Sequence, residues 1–477
     1  MTHVRFDPSV SCRNASCLHW LRRSVALFLV LAGFEMSVAG AIAAESADSS
    51  LPNIVLIMAD DLGYWDVSCY RDNSADVKNR FGTPHLDRLA SEGLRFTNYH
   101  SNGAVCSPTR AALMTGRYQQ RAGIDGVINA DPNVNRDTGL AQSEFTVAEL
   151  LKPKGYQTAI IGKWHLGYEP QFNPTLQGFD RFRGYLSGNV DYFSHLDRMG
   201  IADWWHDREL HPEVGYTTHL ITKHALQFIQ ENKESPFLLY VAHESVHAPY
   251  QGPDDKAIRS ENKEDNTPEV GKRNTKPVYA SMITEMDQGI GEIVQLLKDL
   301  NLARKTLVIF ISDNGANSQG DNGPLRGFKG SLWEGGHRVP CIVWQPDRIQ
   351  SGRVNETVLS MDWLPTLARL TDARIPDELQ LDGVDLTDLI YDRKPLTERY
   401  VYWKAGNKWA IRKGTLKLIS ESPKEPPALF DLSTDLGEQR DLSQEFPETV
   451  QVLEEQYAAW RAELLLQQEL SGEPQSN

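Results

Sequence analysis

Two apolar runs in this sequence end in oxygen donors. NIVLIMADD closes on Asp60 and Asp61, and TLVIFISDNG closes on Asp313 and Asn314. Three carboxylates and an amide, with no thiolate or imidazole among them, suit calcium or magnesium and disfavour zinc. Either pair alone reads more readily as a helix cap or a turn. Cations at comparable places change the balance: Lys163 and His165 in GKWHLG, His247 in ESVHAP, Arg110 in CSPTR, and Lys329 in the glycine-rich GFKGSLWEGG. Together they form a cluster suited to an anionic ester beside a divalent metal.

Cys106 complicates this picture. Pro108 suits the first turn of a helix, which places Cys106 at that helix's amino end, where backbone N–H groups favour negative charge, with Arg110 about one turn further on. A thiolate nucleophile is the direct reading of such a placement. A soft thiolate beside a hard cation is nevertheless a poor chemical match, and an oxygen nucleophile would serve better.

Repeated helix-then-strand units must position these side chains. TVAELLKPKGYQTAIIGKWH, HLITKHALQFIQENKESPFLLYVAHESVH and YASMITEMDQGIGEIVQLLKDLNLARKTLVIFISDNG each pair a helical pattern with an unbroken apolar run. Such runs are strands covered on both faces, so the pattern predicts an α/β fold with a large, mostly parallel sheet flanked by helices. In these sheets the ligand crevice lies beyond the carboxyl ends of the strands, where the polar residues fall. From about residue 395 the short runs RYVYWK, KWAIRK, TLKLIS and ALFDLS predict a smaller antiparallel sheet, with a final helix starting at Pro447. The charged stretch from Gln251 to Pro277 has no apolar period and reads as a long loop, either solvated or forming the rim of the cleft.

Residues 1–44 are read as a signal peptide: Arg22 and Arg23 precede the apolar SVALFLVLAGF, and AIAA ends it. That apolar stretch is too short to span a bilayer, so no stable membrane insertion is expected. The expected domains are 1–44, a catalytic domain 51–394 and a C-terminal subdomain 395–477. Export leaves Cys69, Cys106 and Cys341, an odd number that frees at least one thiol. Cys341, within RVPCIVWQ, reads as a packed strand residue. The formal charge is −15; removing four arginines with Asp7 and Glu35 leaves −17. Nucleic acid is disfavoured as a partner, and an anionic substrate would need a local cation cluster.

CSPTRAALMTGR resembles the sulfatase signature Cys-x-Pro-x-Arg, in which the cysteine is oxidised to formylglycine, and GKWHLG resembles the second signature of that family. The similarity runs from PNIVLIMADDLGYWD to LFDLSTDLGEQRDL. It implies an alkaline-phosphatase-like sandwich, a bound Ca2+, and a formylglycine-generating or sulfatase-maturating enzyme as a partner. Asp60, Asp61, Asp313 and Asn314 match the metal ligands, with modified Cys106 completing the site. Arg110, Lys163, His165, His247 and Lys329 match the residues that hold formylglycine and sulfate. His247 or Lys329 would then protonate the leaving group, and His165 would act as base. His243 lies outside the family pattern and is taken only as a substrate contact.

GYLSGNVDYFSH and ESVHAPYQGP look like the arylsulfatase B type, which acts on N-acetylgalactosamine 4-sulfate, while other segments look like bacterial 6-sulfatases. The resemblance thus implies an exported, periplasmic or secreted hydrolase of a sulfated carbohydrate. Two alternatives stand beside it: a phosphodiesterase or phosphonate hydrolase of the same superfamily, and a secreted calcium-dependent glycan-binding protein in which Cys106 stays unmodified.

Overall fold

The computed structural model describes residues 51–71, 81–261 and 274–471. The signal-peptide reading of residues 1–44 and the middle of the Gln251–Pro277 loop lie outside the described residues. The principal sheet has ten strands: β1 (Asn53–Ala59), β2 (Leu94–Phe96), β3 (Gln157–Lys163), β4 (Arg181–Tyr185), β5 (Trp205–His206), β6 (Glu209–Leu210), β7 (Phe237–Ala242), β8 (Thr306–Ser312), β9 (Cys341–Trp344) and β10 (Gly352–Val354). Their order across the sheet is β10-β2-β9-β8-β1-β7-β3-β4-β5-β6.

The four predicted strands β1, β3, β7 and β8 occupy the middle and run parallel, with β4 continuing the parallel block. Towards one edge β9 turns antiparallel between β8 and β2. At the other, β5 and β6 form a short antiparallel hairpin. Every residue of β1, β7 and β8 is buried, as unbroken apolar runs require when both faces are covered.

Side chains alternate between two cores. Leu56, Met58, Tyr240 and Ile309 face one, which is closed by α2 (Cys106–Thr115), α3 (Val147–Leu151) and α6 (Trp363–Thr371). Val55, Ile57, Val241 and Phe310 face the other, closed by α1 (Pro84–Glu92), α4 (Thr217–Glu231) and α5 (Lys276–Asp299). The start of α3 is set by a capping box between Thr146 and Glu149, legible in the sequence as T-V-A-E.

Beyond residue 395, β11 (Tyr400–Ala405), β12 (Lys408–Lys413), β13 (Leu416–Ser420) and β14 (Ala428–Asp431) form an antiparallel meander, and α7 (Pro447–Ser471) follows. Their apolar side chains share a core with Ala104, Ala112 and Tyr118, which flank and form α2. The Trp403 indole donates 2.9 Å to the Ser101 carbonyl, tying this sheet to the segment that leads into Cys106.

Candidate active site

The parallel strands deliver their last residues to one edge. Asp60 and Asp61 follow β1, Lys163 ends β3, and Asp313 and Asn314 follow β8. Backbone bonds lock the strand ends together: Asp313 N donates to Ala59 O at 3.1 Å, and Asp60 N to Ser245 O at 3.0 Å. Gly162 permits close approach of β3 to β7. Its φ is +109°, and a Cβ there would lie 2.0 Å from the Ala242 carbonyl.

Cys106 is the first residue of α2, preceded by Val105 in extended conformation, and all ten residues of the helix are buried. Its Sγ lies 3.6 Å from Asp60 Oδ1 and 3.4 Å from Lys329 Nζ. Burial pushes the thiol up to about 12 against the pull of Lys163 and Lys329, with Asp60 and Asp313 adding to the rise. The side chain is therefore a protonated thiol, and the helix terminus does not make it a thiolate.

Arg110 makes no hydrogen bond to the thiol and is anchored on the strand ends instead. Its guanidinium donates 2.9 Å to Asp313 Oδ2, and 3.2 Å to both Lys163 O and Tyr240 OH. Burial opposes its charge, but Tyr240, Asp313 and Asp60 hold its pKa above the ordinary arginine value. Lys163 Nζ contacts Asp60 Oδ2, with both side chains fully buried. Lys329 Nζ lies 2.6 Å from Asp61 Oδ1, and burial is outweighed by Asp61, Cys106 and Asp60, so the ammonium stays charged.

Asp61 also receives the Asn314 amide at 2.8 Å and the Asn317 amide at 3.2 Å. Burial alone would raise its pKa; Lys329 and His247 instead hold it well below the carboxylate range. Asp313 goes the other way, pushed up to about 6 by burial and the charge of Asp60, against Arg110 and Lys163.

The two site histidines are oriented by main-chain carbonyls. His165 Nε2 faces Ile128 O at 3.0 Å and its Nδ1 has no partner, while His247 Nδ1 faces Ala248 O at 2.6 Å and its Nε2 lies 3.8 Å from Asp61 Oδ2. Burial holds both imidazoles below their usual value, His247 at about 3 with help from Lys329. Asp61 and His165 both adopt left-handed backbone angles, φ 61° and 56°. Non-glycine residues accept that strain, about 1–3 kcal/mol each, where the surrounding structure over-determines them.

All ten residues named from the sequence as metal ligands or catalytic groups are thus brought to one sheet end. His243 is fully buried, with neither ring nitrogen partnered. Tyr240 and Asn317 were not anticipated: Tyr240 read as an apolar strand residue, and Asn317 follows the DNG turn by only a few positions. The first part of the charged loop is not solvated filler. Ile258 N and Arg259 N donate to Asp191 Oδ2 at 2.7 and 3.0 Å, docking it on the GNVDYFSH segment.

The donor set fits a hard divalent cation. Asp60 and Asp61 present carboxylates beside Cys106, Asp313 Oδ1 accepts from Asp61 N at 3.1 Å, and Asn314 Oδ1 is buried without a partner while its Nδ2 is fully engaged. Asp60, Asp61, Cys106 and His247 each offer a ligand atom within 4.8 Å of the others. The sulfur is the one soft donor that fits poorly. Of the other two thiols among the described residues, Cys341 is buried in β9 and Cys69 is half-buried, and both are free.

A mostly parallel sheet carrying acidic metal-type ligands at its strand ends, with an antiparallel sheet beyond it, defines an alkaline-phosphatase-like hydrolase. Residues 52–373 match the Sulfatase family model, and the chain belongs to that family of enzymes. It is 33% identical over 405 residues to N-acetylgalactosamine-6-sulfatase of Canis lupus familiaris, covering 80% of this chain and 72% of that protein. It is likewise 33% identical over 468 residues to arylsulfatase A of Homo sapiens, covering 86% and 87%. Among solved structures, Ps i-CgsB superposes with a TM-score of 0.77 at 29% identity, covering 89% of this chain and 98% of that one. Phosphonate monoester hydrolase of Agrobacterium radiobacter shares the fold, with a TM-score of 0.63 at 20% identity over 87% and 96% of the two chains.

Proposed function

We propose that this protein is an exported sulfuric ester hydrolase that removes sulfate from a sulfated glycan, with N-acetylgalactosamine 4- and 6-sulfates as the first substrates to test. Cys106 is converted to formylglycine by a maturation enzyme, and the site works with calcium. One observation carries this reading: a buried sulfur stands 3.6 Å from Asp60 Oδ1 and 3.4 Å from Lys329 Nζ in a site otherwise built from oxygen donors and cations. Replacing that sulfur by oxygen removes the mismatch and makes the donor set uniform. The relatives named above support the sulfate ester, since one is named for a sulfated N-acetylgalactosamine. A second solved structure of Ps i-CgsB holds k-i-k-neocarrahexaose.

Asp60, Asp61, Asp313 and Asn314 would hold Ca2+, with residue 106 completing the set, and the ion would supply positive charge where negative charge develops. Formylglycine would supply, in hydrated form, an oxygen nucleophile with a second hydroxyl on the same carbon. Arg110, held by Asp313, Lys163 O and Tyr240, fixes the Asp313 carboxylate and places a permanent cation behind residue 106. Lys163 and Lys329 offer ammonium groups to the non-bridging oxygens of the ester. His165 donates from Nε2 to Ile128 O, which leaves the Nδ1 lone pair to take a proton. His247 donates from Nδ1 to Ala248 O and turns an unprotonated Nε2 towards the site as an acceptor, so the charged Lys329 is the group that delivers a proton to the departing oxygen.

The test is release of free sulfate from a panel of defined sulfated oligosaccharides, with aryl sulfate and aryl phosphate compared in parallel. Sulfate release from a galactosamine sulfate supports the reading. Faster turnover of aryl phosphate would move it to a phosphodiesterase or phosphonate hydrolase.

A further inference from the structure

The geometry points to a second metal site, for zinc, formed by His206, Glu213 and His224 at the edge of the sheet and built from different elements than the active site. His206 ends β5, Glu213 lies in the loop after β6, and His224 is in the middle of α4. Glu213 Oε2 is 2.6 Å from His224 Nε2 and 3.6 Å from His206 Nε2, and one ligand atom from each residue lies within 4.8 Å of the others. In a tetrahedral zinc site with bonds of about 2.0–2.2 Å, neighbouring donor atoms sit roughly 3.3 Å apart. The three atoms therefore bracket a position that an ion fills with small side-chain adjustments.

The surroundings supply what a ligand set requires. His206 Nε2 is buried without a hydrogen-bond partner. Its ring stacks on His211 at 3.9 Å and meets His224 edge-on at 5.5 Å, which fixes its orientation. Lys223 Nζ holds Glu213 Oε1 at 2.6 Å, so the Oε2 oxygen is presented to the two imidazoles, and the Trp204 indole steadies that oxygen at 3.3 Å.

Two imidazoles and one carboxylate suit zinc and are wrong for calcium, the reverse of the all-oxygen set at the strand ends. Water would take the fourth position. Bound there, the ion would clip the β5–β6 hairpin, the outermost pair on that side of the sheet, onto α4. An edge hairpin of two-residue strands has few hydrogen bonds of its own, so a metal clip is a physically reasonable way to hold it.

The experiment titrates metal-free protein with Zn2+ against a chromophoric chelator, in excess Ca2+ and in a Cys106→Ala background, so that the strand-end site does not compete. One Zn2+ should bind. The His206→Gln/His224→Gln double variant should bind more than about 100-fold more weakly, beyond the loss that removal of an outer-shell partner causes. Zn2+ should raise the melting temperature of the parent and not of the double variant. Co2+ should give a visible spectrum without a thiolate charge-transfer band. Glu213→Gln, checked for folding by circular dichroism, provides a milder third variant that should also weaken binding. Zn2+ affinity unchanged within threefold in folded variants would overturn the proposal.

Discussion

Lys329 Nζ lies 2.6 Å from Asp61 Oδ1 and 3.4 Å from Cys106 Sγ, bridging the end of β1 to the start of α2 from a glycine-rich loop. Its charge is retained in spite of burial because Asp61, Cys106 and Asp60 surround it. An ammonium held in a water-poor site is worth far more to a developing anion than one at the surface. Lys329→Ala should lower kcat for aryl sulfate by about 10²–10³. Steady-state kinetics check this, and a loss below threefold would remove Lys329 from the machinery.

Cys106→Ala should abolish turnover while leaving the fold intact, since the side chain makes only two long polar contacts. Mass spectrometry of the peptide containing residue 106 should show a species lighter than cysteine that forms hydrazones in active preparations. Protein made in a cytosol without the maturation enzyme should be folded, retain cysteine and be inactive. Full activity with cysteine intact would refute the oxygen-nucleophile reading.

Much of this site was legible because its positions are dictated by strand ends. A strand buried on both faces leaves an unbroken apolar run, and the first polar residues after it must lie at the sheet edge; Asp60, Lys163 and Asp313 follow that rule. β4 escaped notice because RFRGY mixes charges with apolar residues: Arg181 is exposed while Phe182 and Tyr185 are buried. Spacing also says nothing of side-chain direction. Arg110 lies one turn from Cys106, yet its guanidinium turns to Asp313, a partner 203 residues away. The same limit hid Tyr240, whose hydroxyl meets that guanidinium from within an apolar strand.

Calcium removal should destabilise the protein. Three buried carboxylates converge at the strand ends, and without a divalent ion Lys163, Arg110 and Lys329 offset their repulsion only in part. Thermal unfolding with EGTA and then with Ca2+ restored should show a reversible rise, about 2.7 kcal/mol at a hundredfold excess over Kd. Asp313→Asn should reduce that calcium-dependent increment.

Trp460 of α7 stacks on Tyr402 with ring centroids 4.7 Å apart and planes within 3°, and meets Tyr118 edge-on at 5.0 Å. Through Tyr118 the terminal helix reaches the segment immediately after α2. Trp460→Ala should cost about 3–5 kcal/mol of stability, measured by urea unfolding. A cost below 1 kcal/mol would show that the terminal helix is not part of the cooperative unit that holds α2.

Acid should unfold the protein through a second buried network, joined to the sheet-end site where Gly315 N donates to Gly336 O at 2.9 Å. His100 Nδ1 and His337 Nδ1 face each other at 3.0 Å, and Lys417 Nζ binds Glu334 at 2.9 Å with both side chains fully buried. Burial holds His100 well below its ordinary value; burial and Lys417 bring His337 down to about 3. In the unfolded chain each imidazole takes up a proton near pH 6.5, whereas in the folded state it stays neutral. Between those limits the unfolded state binds more protons, so stability is full above about pH 6.5 and falls as pH decreases, by at most about 1.4 kcal/mol per pH unit for each histidine. Glu334 adds to the loss at lower pH: burial opposes its charge, but Lys417 and the histidines depress its pKa, so its contribution fades only below about pH 4.5. Urea unfolding at pH 7.5, 6.5 and 5.5 should show this decline, and His337→Gln, though less stable at pH 7.5, should have the shallower slope. Parallel slopes for the two proteins would place the acid sensitivity elsewhere.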